Sequence, residues 1–173
     1  MGEVLKDARP IWLLDVDGVV NANGWARREV DFWPKESVKH ELISVNQWQR
    51  YHIFVAEGLI DFINEMHASG KVEIVWATTW LDHANTHLAP AFGLPTLEVG
   101  ARPIGMDDHY YKHRAARAGI AAGRRVIWTD DVEITAQMRQ EFTESGLSHL
   151  LIAPDEVYGL TPADCAKIRE FVG

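Results

Sequence analysis

Short acidic and threonine strings contain the side chains in this sequence that are best suited to catalysis. They share one context, because each string directly follows an apolar run. In open α/β sheets, ligands bind beyond the carboxyl ends of the strands, and that is where such strings would lie. The sequence therefore predicts that at least four carboxylates meet at one sheet edge. The runs and their strings are Ile11–Leu14 with Asp15-Val16-Asp17-Gly18, Val72–Ala77 with Thr78-Thr79, and Val126–Trp128 with Asp130-Asp131.

Carboxylates gathered in this way need a compensating positive charge. Two like charges about 4 Å apart repel by roughly 4 kcal/mol at an effective dielectric constant near 20. Some of the carboxylates must therefore take up protons or share a cation. Oxygen ligands without a histidine or cysteine in the same strings favour a hard ion, and we expect Mg²⁺. Lys112, on the helix predicted before the third run, can add one further positive charge.

Such a cluster is suited to phosphoryl transfer. A phosphate dianion can approach carboxylates only if Mg²⁺ and a lysine screen their charge. A carboxylate held against the metal can then act as a nucleophile and form an aspartyl-phosphate. A second carboxylate, two residues further along the chain, can protonate the leaving oxygen and later activate water.

The apolar runs predict the strands of an α/β domain. With a fourth run, His149–Ile152, they are nearly continuous in apolar residues, as in parallel strands that helices cover on both faces. Segments with helical periodicity alternate with them, so we expect a doubly wound, Rossmann-like, mostly parallel sheet flanked by helices. The predicted helices are Glu57–Ser69, Leu81–Ala89 (ended by Pro90), Asp107–Ala122, Glu133–Ser145 and a last one with Thr161 as its N-cap.

One region interrupts this alternation of strands and helices. His40–Val45 and Tyr51–Val55 are rich in β-forming residues and flank Asn46-Gln47, which predicts a β-hairpin after the first strand. We therefore expect a single domain over residues 1–173 with a flap insertion over about residues 21–56.

Composition limits the class of protein. The chain is 47% hydrophobic and 24% charged, as in an ordinary folded domain. Its net charge of −8 argues against a general affinity for nucleic acid or anionic membranes, although it leaves room for a local basic groove. The single cysteine, Cys165, excludes an internal disulfide framework. Met1–Pro10 lacks the apolar run of a signal peptide, so we expect a cytoplasmic location.

Taken in chain order, the polar strings resemble the four motifs of the haloacid dehalogenase (HAD) superfamily of phosphohydrolases. Asp15-Val16-Asp17-Gly18-Val19 resembles the first motif, and Thr78, Lys112 and Asp130-Asp131 follow in the order of the others. The resemblance implies a Mg²⁺-dependent phosphatase that works through an aspartyl-phosphate, with the hairpin as its flap. Only Trp80–Tyr111 separate the second and third motifs, so the resemblance implies no large cap domain.

The resemblance also implies a role for each motif residue. Asp15 would be the nucleophile, and Asp17 would be the general acid/base. Thr78 would hydrogen-bond the transferring phosphoryl group, and Lys112 would balance the negative charge on that group and on Asp15. The implied metal ligands are Asp15, the main-chain carbonyl of Asp17, Asp130, and Asp131 either directly or through water.

The resemblance implies a phosphorylated substrate, either a small molecule or a bulky phosphoester at an open site. We expect nucleic acid only as a substrate, and no membrane partner. Gly18, Thr79 and Trp80 are the candidate substrate-binding residues, with Thr79 also the weaker alternative to Thr78. Specificity is expected in residues Asn21–Val55 and Trp80–Tyr111.

Several other residues allow a functional and a structural interpretation. Tryptophans could stack on a base or pack in the core, arginines could bind phosphate or face solvent, and histidine pairs could be half of a zinc site or lie on the surface. These residues are Trp25, Trp33, Arg27-Arg28, Arg102, His83/His87 and His109/His113.

Two other functions can use a similar set of residues. A phosphoacceptor receiver domain also unites acidic residues, threonine and lysine at strand ends, but its acidic pair comes first and its lysine last. Here the lysine precedes the acidic pair, which favours the hydrolase. A catalytically silent binding module is the second alternative, and the presence of both Asp17 and Lys112 speaks against it. Transfer to a hydroxyl acceptor stays open, because the same residues serve both reactions.

Overall fold

The structure, a computed structural model, describes residues 9–173. Most of the Met1–Pro10 stretch therefore lies outside the described residues. Residues 9–173 contain seven strands and five α-helices, joined by short 3₁₀ turns at Trp25–Arg27 and Lys35–Ser37. The strands are β1 Ile11–Leu14, β2 Val38–Ser44, β3 Arg50–Ala56, β4 Glu73–Trp76, β5 Glu98–Val99, β6 Val126–Thr129 and β7 His149–Ile152. The helices are α1 Glu57–Ser69, α2 Ala89–Phe92, α3 Tyr111–Ala121, α4 Ala136–Ser145 and α5 Pro162–Val172.

Five of the strands form one parallel sheet in the spatial order β5-β4-β1-β6-β7. The chain starts in the middle at β1, builds outward to β4 and β5, and then returns to build β6 and β7 on the other side. This confirms the predicted doubly wound, Rossmann-like α/β fold. The reversal of strand order beside β1 is the position at which such sheets bind ligands.

Side chains alternate between the two faces of the sheet and form two separate cores. On one face Trp12 and Trp76 pack with residues of α1 and α5, including Phe62. On the other face Leu13 and Trp128 pack with residues of α3 and α4. Because both faces are covered, these strands are apolar at nearly every position, which explains the continuous runs in the sequence.

The predicted hairpin is present as the antiparallel pair β2–β3. Its register pairs Val38 with Ala56 and Ser44 with Arg50. One face of the hairpin, including Ile43 and Ile53, is buried in the same core as α1, so the flap is anchored to the body of the protein. The segment between β4 and α3 is short and forms no large cap, as expected.

Three helix boundaries differ from the prediction. The segment predicted as the helix Leu81–Ala89 begins with a π-helical turn at Ala84–Leu88 and continues through Pro90 to Phe92, so Pro90 does not end it. Pro90 lies in the first turn of α2, where proline is common because its fixed φ suits the start of an α-helix.

The other two helices begin later than predicted because side chains cap the preceding backbone. Asp108 accepts a hydrogen bond from Ile104 N (2.8 Å), which favours a turn, and α3 starts only at Tyr111. Thr135 accepts a hydrogen bond from Met138 N and is the N-cap of α4. The predicted N-cap Thr161 of α5 is confirmed, as part of a capping box with Asp164.

The two-residue strand β5 was not predicted, since it is too short to show a periodic pattern. In the part of the chain that the structure describes, no helix is both long enough and apolar enough to cross a membrane.

Candidate active site

The parallel register brings three strand ends to the same level. Leu14, the last residue of β1, is aligned with Trp76 of β4 and Thr129 of β6. The ladder extends by one residue on both sides, through hydrogen bonds from Asp15 N to Thr129 O (3.2 Å) and from Ala77 N to Leu14 O (2.9 Å). Residues that follow these strands therefore emerge side by side at one sheet edge.

Lys112 joins the ends of β1 and β6. Its Nζ donates hydrogen bonds of 2.8 Å to Asp15 Oδ2 and of 2.8 Å to Asp130 Oδ2. All three side chains are buried, with Lys112 only 6% exposed. Lys112 reaches the site because it lies in the first turn of α3, the helix that precedes β6 in the chain.

Backbone N–H groups hold the second oxygen of each of these carboxylates. Asp15 Oδ1 accepts a hydrogen bond from Val16 N (2.7 Å). Asp130 Oδ1 accepts hydrogen bonds from Val132 N (3.0 Å) and Glu133 N (2.8 Å), which form a tight turn after β6. Both oxygens of each carboxylate therefore accept a hydrogen bond. This fixes the orientation of the two groups, as a preorganised site requires.

Asp131 completes a group of three carboxylates. Asp15, Asp130 and Asp131 each offer an oxygen, and these oxygens lie within 4.8 Å of one another. The three negative charges exceed the single positive charge of Lys112, so the group favours a bound divalent cation. Carboxylate oxygens are hard ligands of the kind that Mg²⁺ prefers, so the chemistry of this donor set fits that ion.

Gly18 allows Asp131 to approach this group. Its φ is +71°, a backbone conformation that residues with a Cβ rarely adopt. A Cβ built on Gly18 would lie 2.3 Å from Asp131 Oδ2, which is too close for any side chain. Gly18, in the first polar string, therefore leaves space for the carboxylate of Asp131, in the last one.

Burial and charge shift the protonation of the cluster. Burial raises the pKa of Asp15 to about 7, where the Lys112 charge opposes the rise and the Asp130 charge adds to it. Burial also raises the pKa of Asp131, again with Asp130 contributing. For Lys112, burial lowers the pKa, but the two carboxylates outweigh it and raise the pKa above its usual range. A carboxyl group with a pKa near neutrality and a permanently charged lysine are typical of a functional site.

The Asp17 side chain lies apart from the three carboxylates. Its Oδ2 accepts a hydrogen bond from Trp80 Nε1 (2.9 Å), and its Oδ1 accepts one from Asn21 Nδ2 (3.0 Å). The buried Asn21 also accepts a hydrogen bond from Phe54 N of β3 (2.9 Å). Asn21 therefore connects Asp17 directly to the backbone of the flap.

The threonines at the end of β4 differ in exposure. Thr78 is fully buried, and its Oγ1 accepts a hydrogen bond from Trp80 N (3.3 Å). Thr79 is exposed and lines the pockets beside the site. Trp80 is 7% exposed and packs against Tyr51 of the flap, with 5.2 Å between the ring centroids.

Two pockets lie beside these residues and share Thr79 in their linings. We call the first the flap pocket; its volume is about 270 Å³, and its lining includes Asp17, Gln49, Tyr51, Thr79, Trp80 and His83. The second, about 400 Å³, lies on the side of Lys112 and is lined by Thr79, Met106 and Tyr111, among other residues.

The other candidate tryptophans, Trp25 and Trp33, and the candidate arginines have structural partners. Trp25 stacks on Phe54 (6.3 Å between centroids) with the Arg28 guanidinium over its ring, and Trp33 Nε1 donates to Leu160 O (2.9 Å). The arginines form ion pairs on the protein surface. These pairs are Arg27 with Glu156, Arg28 with Asp31 and Arg102 with Asp82.

The histidine pairs show no metal-binding arrangement among residues 9–173, where Asp15, Asp130 and Asp131 make up the one group of three potential ligands. The His83 and His87 rings contact each other edge to face. His113 Nε2 lies 2.8 Å from Glu133 Oε2.

Sequence reasoning did not single out Asn21, Gln49 or Tyr51, although all three lie at positions 21–55, where specificity was expected, and it considered His83 only as half of a zinc site. Asn21 carried a usable signal, since it is a polar residue that follows two valines in a buried segment. Tyr51 carried a weaker one, because strand alternation places it on the same face of β3 as Ile53 and Val55.

The fold and the acidic cluster define the class of protein, an α/β domain of the HAD superfamily without a large cap. A family profile described as the HAD domain in Swiss Army Knife RNA repair proteins matches residues 11–165, and the chain belongs to this family. A search of curated proteins and a search of solved structures gave no match.

Proposed function

We propose that this protein is a Mg²⁺-dependent phosphomonoester hydrolase that works through an aspartyl-phosphate. The observation that carries the proposal is the buried cluster in which Lys112 Nζ bridges Asp15 and Asp130 with Asp131 alongside. Membership of the HAD domain family supports a phosphoesterase-type reaction.

Asp15 is the proposed nucleophile. Its Oδ1 is held by a backbone N–H and its Oδ2 by Lys112, so the carboxylate is oriented before substrate arrives. Attack on phosphorus forms the Asp15–phosphate bond and breaks the bond to the leaving oxygen. Lys112 stabilises the charge on the transferring group, and Thr78, two residues after β4, is the proposed hydrogen-bond donor to a phosphoryl oxygen.

Asp17 is the proposed general acid/base. It lies two residues after Asp15 and lines the flap pocket, and it is not part of the group formed by the Asp15, Asp130 and Asp131 carboxylates. In the first step its carboxyl proton goes to the leaving oxygen, and in the second step its carboxylate accepts a proton from water that attacks the acyl phosphate. The separation of the two roles follows from the different environments of the two aspartates.

Asp15, Asp130 and Asp131, with the main-chain carbonyl of Asp17, are the proposed ligands of Mg²⁺. When bound, the ion neutralises excess negative charge and polarises the phosphoryl group. Without this neutralisation, a phosphate dianion would meet uncompensated carboxylates.

A phosphorylated RNA terminus is the substrate class that best fits the family, whose description places it in RNA repair proteins. The absence of a large cap supports an open site that a polymer end can reach. The net charge of −8 disfavours binding along an extended phosphate backbone, so the substrate is recognised at its end.

The proposal is tested by phosphate release from a panel of phosphorylated metabolites, nucleotides and 3′- or 5′-phosphorylated oligonucleotides, with Mg²⁺ or with EDTA. We expect metal-dependent release that Asp15→Asn abolishes while the circular dichroism spectrum is unchanged. Release that survives in Asp15→Asn, or a panel without any metal-dependent release, contradicts the proposal. Because Asn is nearly isosteric with Asp, loss of activity reports on the Asp15 carboxylate, as nucleophile and metal ligand, and not on packing.

A further inference from the structure

We propose that the flap pocket binds the nucleoside of a terminal nucleotide, with Tyr51 as the side chain on which the base stacks. This inference rests on the proposed function, because it names the leaving group of the same reaction. The pocket volume of about 270 Å³ is slightly below the range of about 300–1,000 Å³ that accommodates whole drug-sized ligands. It therefore fits one nucleoside of a longer chain.

The position of Asp17 decides which pocket receives the leaving group. The leaving oxygen must lie within hydrogen-bond reach of the general acid. Asp17 lines the flap pocket, whereas the larger pocket is lined by Lys112, which contacts the transferring phosphoryl group in the proposed mechanism. The group attached to the leaving oxygen therefore extends into the flap pocket.

Tyr51 presents the aromatic surface of this pocket. Its side chain is 41% exposed, whereas Trp80 behind it is 7% exposed and is held by its hydrogen bond to Asp17. The two ring centroids are 5.2 Å apart, so Trp80 supports Tyr51, and the exposed fraction of Tyr51 shows that part of its surface is open to a ligand. An exposed aromatic ring with a rigid support is a stacking platform for any base.

Polar groups at the pocket rim distinguish a nucleoside from a simple sugar or an aryl group. Gln49 Oε1 already accepts a hydrogen bond from Asn46 Nδ2 (2.7 Å), so Gln49 offers its amide N–H donors to a ligand. His83 is a second polar side chain in the lining of the pocket. A sugar alone would leave the Tyr51 ring uncovered, and an aryl group alone would leave these polar groups without partners. A base with polar edges uses both.

Kinetics on two kinds of substrate test the assignment. The substrates are adenosine 3′- and 5′-monophosphate, which contain a base, and glycerol phosphate, which does not. We expect Tyr51→Ala to lower kcat/KM for the nucleotides about ten times more than kcat/KM for glycerol phosphate. Tyr51→Phe keeps the ring and should behave like the wild type. Leu42→Ala, an exposed position on the other face of the same hairpin, controls for effects on flap stability.

The outcomes separate this inference from the proposed function. Equal loss on nucleotides and glycerol phosphate, or no loss on either, overturns the nucleoside pocket and leaves the phosphatase standing. Absence of hydrolysis of every substrate overturns the phosphatase, and the pocket is then judged by binding. In that case the Trp80 indole N–H resonance of the wild type should shift on titration with adenosine 3′-monophosphate and not in Tyr51→Ala. No shift in the wild type overturns the pocket.

Discussion

The indole N–H of Trp80 donates a 2.9 Å hydrogen bond to Asp17 Oδ2. Asn21 Nδ2 holds the other oxygen of the same carboxylate at 3.0 Å and is itself hydrogen-bonded to the flap. The proposed acid is therefore positioned by a residue after β4 and by a residue tied to β3, and not by the cluster that contains the nucleophile. Two aspartates only two residues apart in sequence are thereby held in different environments.

Trp80→Phe should impair reactions that need protonation of the leaving group. Phenylalanine preserves the packing against Tyr51 but cannot donate to Asp17. We expect kcat/KM for glycerol phosphate to fall about tenfold, with little change for p-nitrophenyl phosphate, whose leaving group needs no proton. Trp48→Phe, at an 83% exposed position on the hairpin, is the matched control. Equal losses on both substrates would show that Trp80 does not act through the acid.

Lys112→Met should destabilise the metal-free protein and abolish activity. Methionine keeps much of the volume but leaves Asp15 and Asp130 buried without their cation, and breaking a buried ion pair typically costs about 3–5 kcal/mol. We expect urea denaturation to show a loss of this size, part of which Mg²⁺ recovers. Lys39→Met removes an exposed pair with Glu57 and should change the free energy of unfolding by less than about 1 kcal/mol. Similar losses in the two variants would argue against a structural role for the bridging lysine.

Gly18→Ala should weaken Mg²⁺ binding by displacing Asp131. The new Cβ would lie 2.3 Å from Asp131 Oδ2, in addition to the strain of a φ of +71°. Gly70→Ala is the matched control, since its φ is +66° and its Cβ would meet nothing within 4 Å. Calorimetric titration with Mg²⁺ should show at least a tenfold weaker affinity for Gly18→Ala, about 1.4 kcal/mol, and an unchanged affinity for Gly70→Ala. Equal affinities would place Asp131 outside the metal site.

The stability of the metal-free protein should depend on pH through Asp15. Its pKa is about 7 in the folded protein and 3.8 as the ordinary value, so the folded state binds this proton more tightly than the unfolded state. The free energy of unfolding therefore decreases as the pH rises from about 4 to about 7. Mg²⁺ competes with the same proton, so its affinity should rise over this interval.

Urea denaturation at several pH values, with Mg²⁺ and with EDTA, measures both effects. Asp15→Asn should show a flatter pH dependence than the wild type in EDTA. A wild-type protein whose metal-free stability rises from pH 5 to pH 7 would contradict the assigned pKa of Asp15.

The sequence was sufficient to predict the fold class and the sheet edge at which the polar residues meet. The reason is that apolar runs buried on both faces identify β1, β4 and β6. Because these strands are parallel, the residues that follow them lie at the same edge of the sheet. Asp15, Thr78 and Asp130 could therefore be placed together without knowledge of the connecting segments.

The contacts of the flap could not be predicted in the same way. The hydrogen bond from Phe54 N to Asn21 joins residues that are 33 positions apart in the sequence. The contact between Tyr51 and Trp80 depends on the orientation of the hairpin relative to the sheet. Local periodicity contains no information on either. The late starts of α3 and α4 have a related cause, since capping by Asp108 and Thr135 outweighs a helical pattern that extends further toward the N-terminus.

Chemical trapping of the phosphorylated residue tests the central claim most directly. Protein is mixed with a ³²P-labelled phosphoester that it hydrolyses and Mg²⁺, quenched in acid during turnover, and digested for peptide mapping. We predict a hydroxylamine-sensitive label on the peptide that contains Asp15, absent in EDTA and absent in Asp15→Asn. A label on another residue, or metal-dependent turnover without any label on Asp15, would contradict the account.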